Sequence, residues 1–191
     1  MSHPKITVVI GNPSETSRTK VLALALAQAV TDSLPAHAPA QVEVLELHRL
    51  APHIVGNGRE LPAEGAAALR AITTADLVIA ATPVYKGSYT GLFKHLFDLV
   101  DPNALVDRPV LLAANGGSDR HALVVDHQLR PLFAFFRALT VPSAVYAAEA
   151  DFDGYALRSE ALRARITEAA AQAARLLAVR PQTATPLRVA A

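Results

Sequence analysis

ITVVIGNPSETSRT, residues 6–19, decides the fold. Its first five residues are all β-branched, the composition of a buried strand, and Gly11, Asn12 and Pro13 end the run. The Ala- and Leu-rich stretch Arg18–Ser33 that follows has helical composition, so the chain opens as strand, turn, helix.

Working outward, the same alternation recurs. Val42–Leu47 interleaves apolar and acidic residues as an outer strand would, after a loop holding Pro35 and Pro39. Leu61–Thr74 reads as a helix, Leu77–Ala81 as a short apolar strand, and Ser88–Leu99 as a helix that ends near Asp101 and Pro102. Val110–Ala114 is a further buried strand, Ala122–Leu139 a helix, Pro142–Ala147 a fifth strand and Arg158–Val179 a last helix. Residues 1–179 thus form one domain, and the tail 180–191, with Pro181 and Pro186 and no periodicity, is expected to be flexible. Strands alternating with helices imply a mostly parallel sheet covered on both faces. Five of them fit an α/β, flavodoxin-like three-layer sandwich of strand order 2-1-3-4-5, whose ligand crevice lies beyond the carboxyl ends of strands one and three.

Composition narrows the function. Of 191 residues 51% are hydrophobic and 18% charged, which supports a packed core. Eighteen Lys and Arg against 17 Asp and Glu, without a basic stripe, argue against nucleic acid. No Cys is present, which removes disulfides, thiolate metal sites and a Cys nucleophile, and seven scattered His suggest no metal site. The apolar run Ile6–Ile10 is too short for a signal-peptide core, and no stretch reaches the roughly 18 apolar residues of a membrane span. A cytoplasmic protein is the expectation.

Three loops leave the carboxyl ends of the inner strands. Gly11–Thr19 joins a strand to a helix N-terminus, where free N–H groups, the hydroxyls of Ser14, Thr16, Ser17 and Thr19, and the Arg18 charge suit a phosphate. It is neither a Walker A loop nor GxGxxG, and simple helix capping by a Ser or Thr fits it equally. Thr82–His95 offers Pro83 to stiffen the exit, Tyr85 to lie near a planar ring, Gly87 for close approach and Ser88 as a helix cap; a surface turn with amphipathic Tyr85 and Tyr89 is the plainer reading. Asn115–His121 presents Gly116 and Gly117, whose N–H groups no Cβ obstructs, with Ser118 and Asp119 beside them. In the helix that follows, Pro131 has no N–H for the carbonyl of His127, so a kink or a π-type bulge is expected there. Leu123, Leu132, Phe133, Phe135 and Phe136 exceed what one helix face needs, which suggests either core packing or a second subunit.

ATPVYKGSYTGLFKHLFDLVDP (81–102) and GGSDRHALVVDHQLRPLF (116–133) resemble the NAD(P)H-dependent FMN reductases of two-component sulfonate monooxygenases, most of all the methanesulfonate-monooxygenase reductase branch. The likeness runs to about Leu177. It implies an FMN phosphate held by Ser17, Arg18 and Thr19 with Ser14 nearby. The flavin ring would lie between Pro83, Val84, Tyr85 and Lys86 on one side and Gly116, Gly117 and Ser118 on the other, with Asn115 and Asp119 alongside. Arg120 and His121 would face the nicotinamide nucleotide, and His127 would mark a π-bulge at the interface of a homodimer or homotetramer. No catalytic side chain is required, because hydride passes from nicotinamide C4 to flavin N5 and the reduced FMN leaves for an FMNH2-dependent monooxygenase. Two departures stand out: Ser14 and Glu15 replace an Arg common in the first loop, and Asn115 stands where Thr is frequent. The competing readings are a flavodoxin-like electron carrier, disfavoured by the net charge of +1, and a quinone or azo reductase with tightly bound FMN.

Overall fold

The β-branched run takes the interior of a parallel sheet. In the computed structural model, which describes residues 3–55 and 61–179, β1 (Lys5–Ile10) is buried from Ile6 onward. It pairs in parallel with β2 (Gln41–Glu46) on one side and with β3 (Leu77–Pro83) on the other, Val8 lying opposite both Val44 and Ile79. β4 (Pro109–Gly116) adds to β3 with Ala81 opposite Ala113 and Pro83 opposite Asn115. The fifth position is shared by β5 (Leu139–Thr140) and β6 (Val145–Ala148), both parallel to β4, so the order is 2-1-3-4-5 as expected of the flavodoxin-like fold.

The expected strand Pro142–Ala147 is therefore divided. Val141 still donates its N–H to Val110 O at 2.9 Å, but Pro142 has no N–H for the ladder, and the chain rejoins β4 only at Val145. The gap is filled from the last described helix, α6 (Glu160–Val179): Ser143 N–H donates to Gln172 Oε1 at 2.8 Å and the Ser143 hydroxyl to Glu168 Oε1 at 2.9 Å. Before α6 the chain forms a small antiparallel hairpin, β7 (Phe152–Asp153) and β8 (Ala156–Leu157), that the sequence pattern did not suggest. The helix accordingly starts at Glu160, not Arg158, with the Ser159 hydroxyl accepting from Leu162 N–H.

Side-chain alternation along the strands creates two cores. Ile6, Val8 and Ile10 face α1 (Arg18–Asp32) and α6, meeting Leu22, Leu26, Ile166 and Ala170. Val9 and Leu45 face the opposite layer, built from α3 (Ala63–Thr74), α4 (Gly91–Asp98) and α5 (Arg130–Phe135); the short helix α2 (Leu47–Leu50) follows β2 directly. Phe97 is central there, its ring 4.8 Å from that of Phe93 and 4.9 Å from that of Phe133.

Two helices depart from expectation. α4 starts at Gly91 and is capped by Thr90, not Ser88, because residues 85–88 close a tight turn first. Lys86 (φ 53°) and Gly87 (φ 84°) both take left-handed backbone, and Tyr85 and Ser88 exchange backbone hydrogen bonds of 2.9 and 3.2 Å. The stretch 122–139 holds a π segment, Val125–Leu129, in which Arg130 N–H reaches Val125 O, followed by α5. The expected irregularity at His127 is thus present, and it delivers Pro131 to the first turn of α5, where a missing N–H is tolerated. α5 stops early in a Schellman turn, with Arg137 at φ 55° and Ala138 N–H on Phe133 O. The tail from Arg180 lies outside the described residues, and no helix among those described is long and apolar enough to cross a membrane.

Candidate functional site

Parallel register brings three loops to one edge. Ile10 lies opposite Ala81 and Ala81 opposite Ala113, so the chain leaves β1, β3 and β4 on the same side of the sheet. Two strand spacings, about 10 Å, separate the first exit from the third.

Asn115 ties the loops together. Its side-chain oxygen accepts the Thr19 hydroxyl at 2.6 Å, its backbone oxygen accepts Val84 N–H at 2.8 Å, and its strand position pairs with Ala147. Thr19 is buried, and its hydroxyl braces α1 against β4. The same bond gives Asn115 a clear task in place of the usual Thr. A second brace runs beneath: the buried Thr90 hydroxyl donates to Gly11 O at 2.8 Å, while Thr90 N–H donates to the Thr82 hydroxyl at 3.3 Å. Gly11 has no room for a side chain there, since a Cβ would stand 2.7 Å from the Phe93 ring.

The rim of the first loop carries polar groups. Ser17 caps α1, accepting Lys20 N–H at 3.0 Å, so the capping reading holds for it; its own hydroxyl proton is not used in that bond. Ser14 is exposed and donates to Thr16 O. The Arg18 guanidinium is held by the β7–β8 region: Nη1 meets Glu149 at 2.9 Å, Nε donates to Gly154 O at 3.1 Å, and the group lies 5.9 Å from the Phe152 ring centre. Asn12, buried at the exit of β1, donates its amide to Ser14 O and leaves its Oδ1 without a partner. An orphaned buried acceptor at this point fits a site completed by a donor from a ligand or by loop adjustment around one.

In the second loop Pro83 is buried, Val84 half-buried, and Tyr85, Lys86 and Gly87 are exposed. Gly87 meets nothing within 4 Å where a Cβ would stand, so its left-handed φ explains the glycine better than the expected close approach. The Ser88 hydroxyl donates to Gln128 Oε1 at 3.1 Å, joining this turn to the π segment, on which His127 is exposed.

The third loop rests on Tyr146. Its hydroxyl donates to Ser118 O at 2.6 Å and stands 2.5 Å from where a Gly116 Cβ would be. Burial raises the phenol pKa, the carboxylates of Asp119 and Asp151 add to the shift, and the group therefore stays a donor. Gly117 and Ser118 are exposed, and a Cβ on Gly117 would meet nothing within 4 Å. Asp119, Arg120 and His121 form a single 3-10 turn at the rim, with Ala122 N–H on Asp119 O.

Sequence reasoning did not single out Asn12, Thr82, Thr90, Tyr146 or Glu149 as site residues. Only Asn12 and Thr82 carried a signal, as polar residues at the very ends of buried strands; Tyr146 and Glu149 reach the edge through the divided fifth strand. Taken together, the edge offers hydroxyls and a guanidinium at the start of α1 and side-chain-free backbone at 116–117, a donor set that fits a phosphorylated planar cofactor.

A family model described as NADPH-dependent FMN reductase matches residues 4–153. The chain is 54% identical over 179 residues to the NADH-dependent FMN reductase SfnF of Pseudomonas fluorescens strain Pf0-1, covering 92% of this chain and 94% of that one. It is 52% identical to an FMN reductase (NADPH) of Pseudomonas aeruginosa, covering 93% and 95%. Among solved structures, an oxidoreductase from Corynebacterium diphtheriae superposes with a TM-score of 0.87 at 35% identity, covering 95% of this chain and all of that one.

Proposed function

Because the chain belongs to the NADPH-dependent FMN reductase family and is an NAD(P)H:FMN oxidoreductase, we propose that it supplies reduced FMN to a partner monooxygenase in sulfonate metabolism. The observation that supports a shared flavin cleft is the knot at Asn115, which fastens the first loop through Thr19 and the second through Val84 to the start of the third.

In this reading Ser14, Ser17 and Arg18 receive the phosphate, and Thr19 acts behind them as a brace. Pro83, Val84, Tyr85 and Lys86 flank one side of the ring, while the N–H groups of Gly117 and Ser118 meet its polar edge, with Gly116, Asn115 and Asp119 shaping that loop. Arg120 and His121 line the nicotinamide side. When bound, FMN supplies the redox chemistry, taking hydride at N5 from nicotinamide C4. The protein's part is to hold the two rings together and fix donors where they are needed; no side chain has to exchange a proton with a reacting carbon. Both coenzymes stay in the formulation because the two relatives above are named for different ones. The enzyme is proposed to be cytoplasmic and a homo-oligomer, with exposed Leu123 and Phe135 in the subunit contact.

The test is steady-state oxidation of NADH and of NADPH with and without added FMN. Turnover that needs free FMN, together with sulfite release when an FMNH2-dependent sulfonate monooxygenase is added, is the expected result. Full turnover on a quinone with FMN retained through gel filtration overturns the proposal in favour of a quinone reductase.

A further inference from the structure

Among the described residues, three cations at the first loop each meet a carboxylate. Arg18 Nη1 meets Glu149 Oε1 at 2.9 Å, Lys20 Nζ meets Glu46 Oε2 at 2.8 Å, and Arg49 Nη2 meets Glu15 Oε1 at 3.4 Å. Three positive groups face three negative ones, so a phosphate arriving here finds donors but little net charge. Arg18 and Lys20 are covered to the same degree, but Glu46 beside Lys20 is itself mostly covered, whereas Glu149 beside Arg18 is open; with Glu15 and Arg49 both largely exposed, Arg18 and Glu149 are the pair that joins a mostly covered cation to an open carboxylate.

We propose that Glu149 is a specificity- and exchange-determining residue that weakens the grip of Arg18 on the FMN phosphate and so keeps the flavin a dissociable substrate. The proposal rests on the placement of the phosphate at Ser14, Ser17 and Arg18 given above. Two features make the carboxylate a competitor and not merely a support. First, Arg18 is seated without it: Nε donates to Gly154 O at 3.1 Å and the guanidinium lies against the Phe152 ring. Gly154 sits at φ 58° in the β7–β8 turn, and that hairpin is fixed independently by Asp151, whose carboxylate accepts Ala148 N–H at 2.9 Å and whose backbone oxygen accepts Arg158 N–H at 2.8 Å. Second, the Glu149 side chain is 58% exposed, so losing its charge leaves no unsatisfied buried group. What remains is the electrostatic effect, a negative charge bonded to the group that must bind a dianion.

The experiment titrates purified full-length protein with FMN and with riboflavin, which has the ring but no phosphate, following flavin fluorescence. Glu149→Gln keeps the shape and removes the charge. For one unit charge at a solvent-exposed site the expected gain in FMN affinity is about three- to tenfold. Riboflavin affinity stays unchanged, and the gain appears as slower FMN dissociation in stopped flow and shrinks at high salt. Arg18→Ala is the companion variant and is expected to weaken FMN but not riboflavin. If Arg18→Ala weakens both flavins equally or neither, the phosphate does not sit at Arg18 and the site reading falls with this proposal. If Arg18→Ala discriminates between them while Glu149→Gln leaves FMN binding unchanged or weaker, the site reading stands and the role of Glu149 is overturned.

Discussion

A glycine is informative when something occupies the place of its side chain. At Gly116 that something is the Tyr146 hydroxyl, 2.5 Å from an added Cβ, while the phenol carbon bearing it would stand at 3.5 Å, an ordinary contact. Gly116→Ala is therefore expected to force Tyr146 off the Ser118 carbonyl and to destabilise the protein by about 1–3 kcal/mol, the usual cost of overpacking. Adding Tyr146→Phe removes the clashing atom, so the double variant should regain most of the lost stability in thermal melts. Tyr146→Phe alone should loosen residues 116–118 and weaken FMN and riboflavin alike, a pattern distinct from that of Arg18→Ala. A double variant no more stable than Gly116→Ala would refute the coupling. In the sequence GGS looks like two interchangeable glycines; the fold shows one set by a tyrosine 30 positions later and one facing open space.

Among the elements, α4 shows how a local signal misleads and what replaces it. Ser88, Thr90 and Gly91 all lie where a cap is plausible by composition, and the choice is made by the two-residue turn at Lys86 and Gly87, which occupies Ser88 in a bridge to Tyr85. Thr90 then caps α4 and also fastens Gly11 O. Thr90→Ala should lower stability by about 1–3 kcal/mol through loss of the cap and of a buried hydrogen bond, with Thr90→Ser retaining most of it. Ser88→Ala should lie within about 0.5 kcal/mol of the parent. Chemical denaturation of the three variants distinguishes the assignments, and equal losses at 88 and 90 would contradict them. The π segment was better announced: Pro131 has no N–H for the His127 carbonyl, and the wide turn Val125–Leu129 is centred on that residue, ahead of the proline.

For the molecule as a whole, the apolar excess along 123–136 divides between core and surface, with Leu132 half-buried against the core. Phe133 and Phe136 are buried in their own domain's core, whereas Leu123 is 60% and Phe135 67% exposed. In the homo-oligomer proposed above, these two side chains are the ones a second copy of the chain would cover. Phe135→Asp is expected to reduce the assembly mass in analytical ultracentrifugation while leaving the melting temperature of the remaining subunit within a few degrees; an unchanged mass would place the contact elsewhere. Sequence alone determined the class of fold, the strand order and the three loops proposed to carry the site, because strand burial and helix propensity are written in short windows and parallel order follows from their alternation. Tertiary structure alone decided which polar groups hold the loops together and which are left open at the strand edge. Thr19 turned out to serve Asn115, 96 residues away, Tyr146 to shape Gly116, and Glu149 to meet Arg18. Such pairings depend on register across neighbouring strands and on where the divided fifth strand re-enters the sheet, quantities that no local window contains.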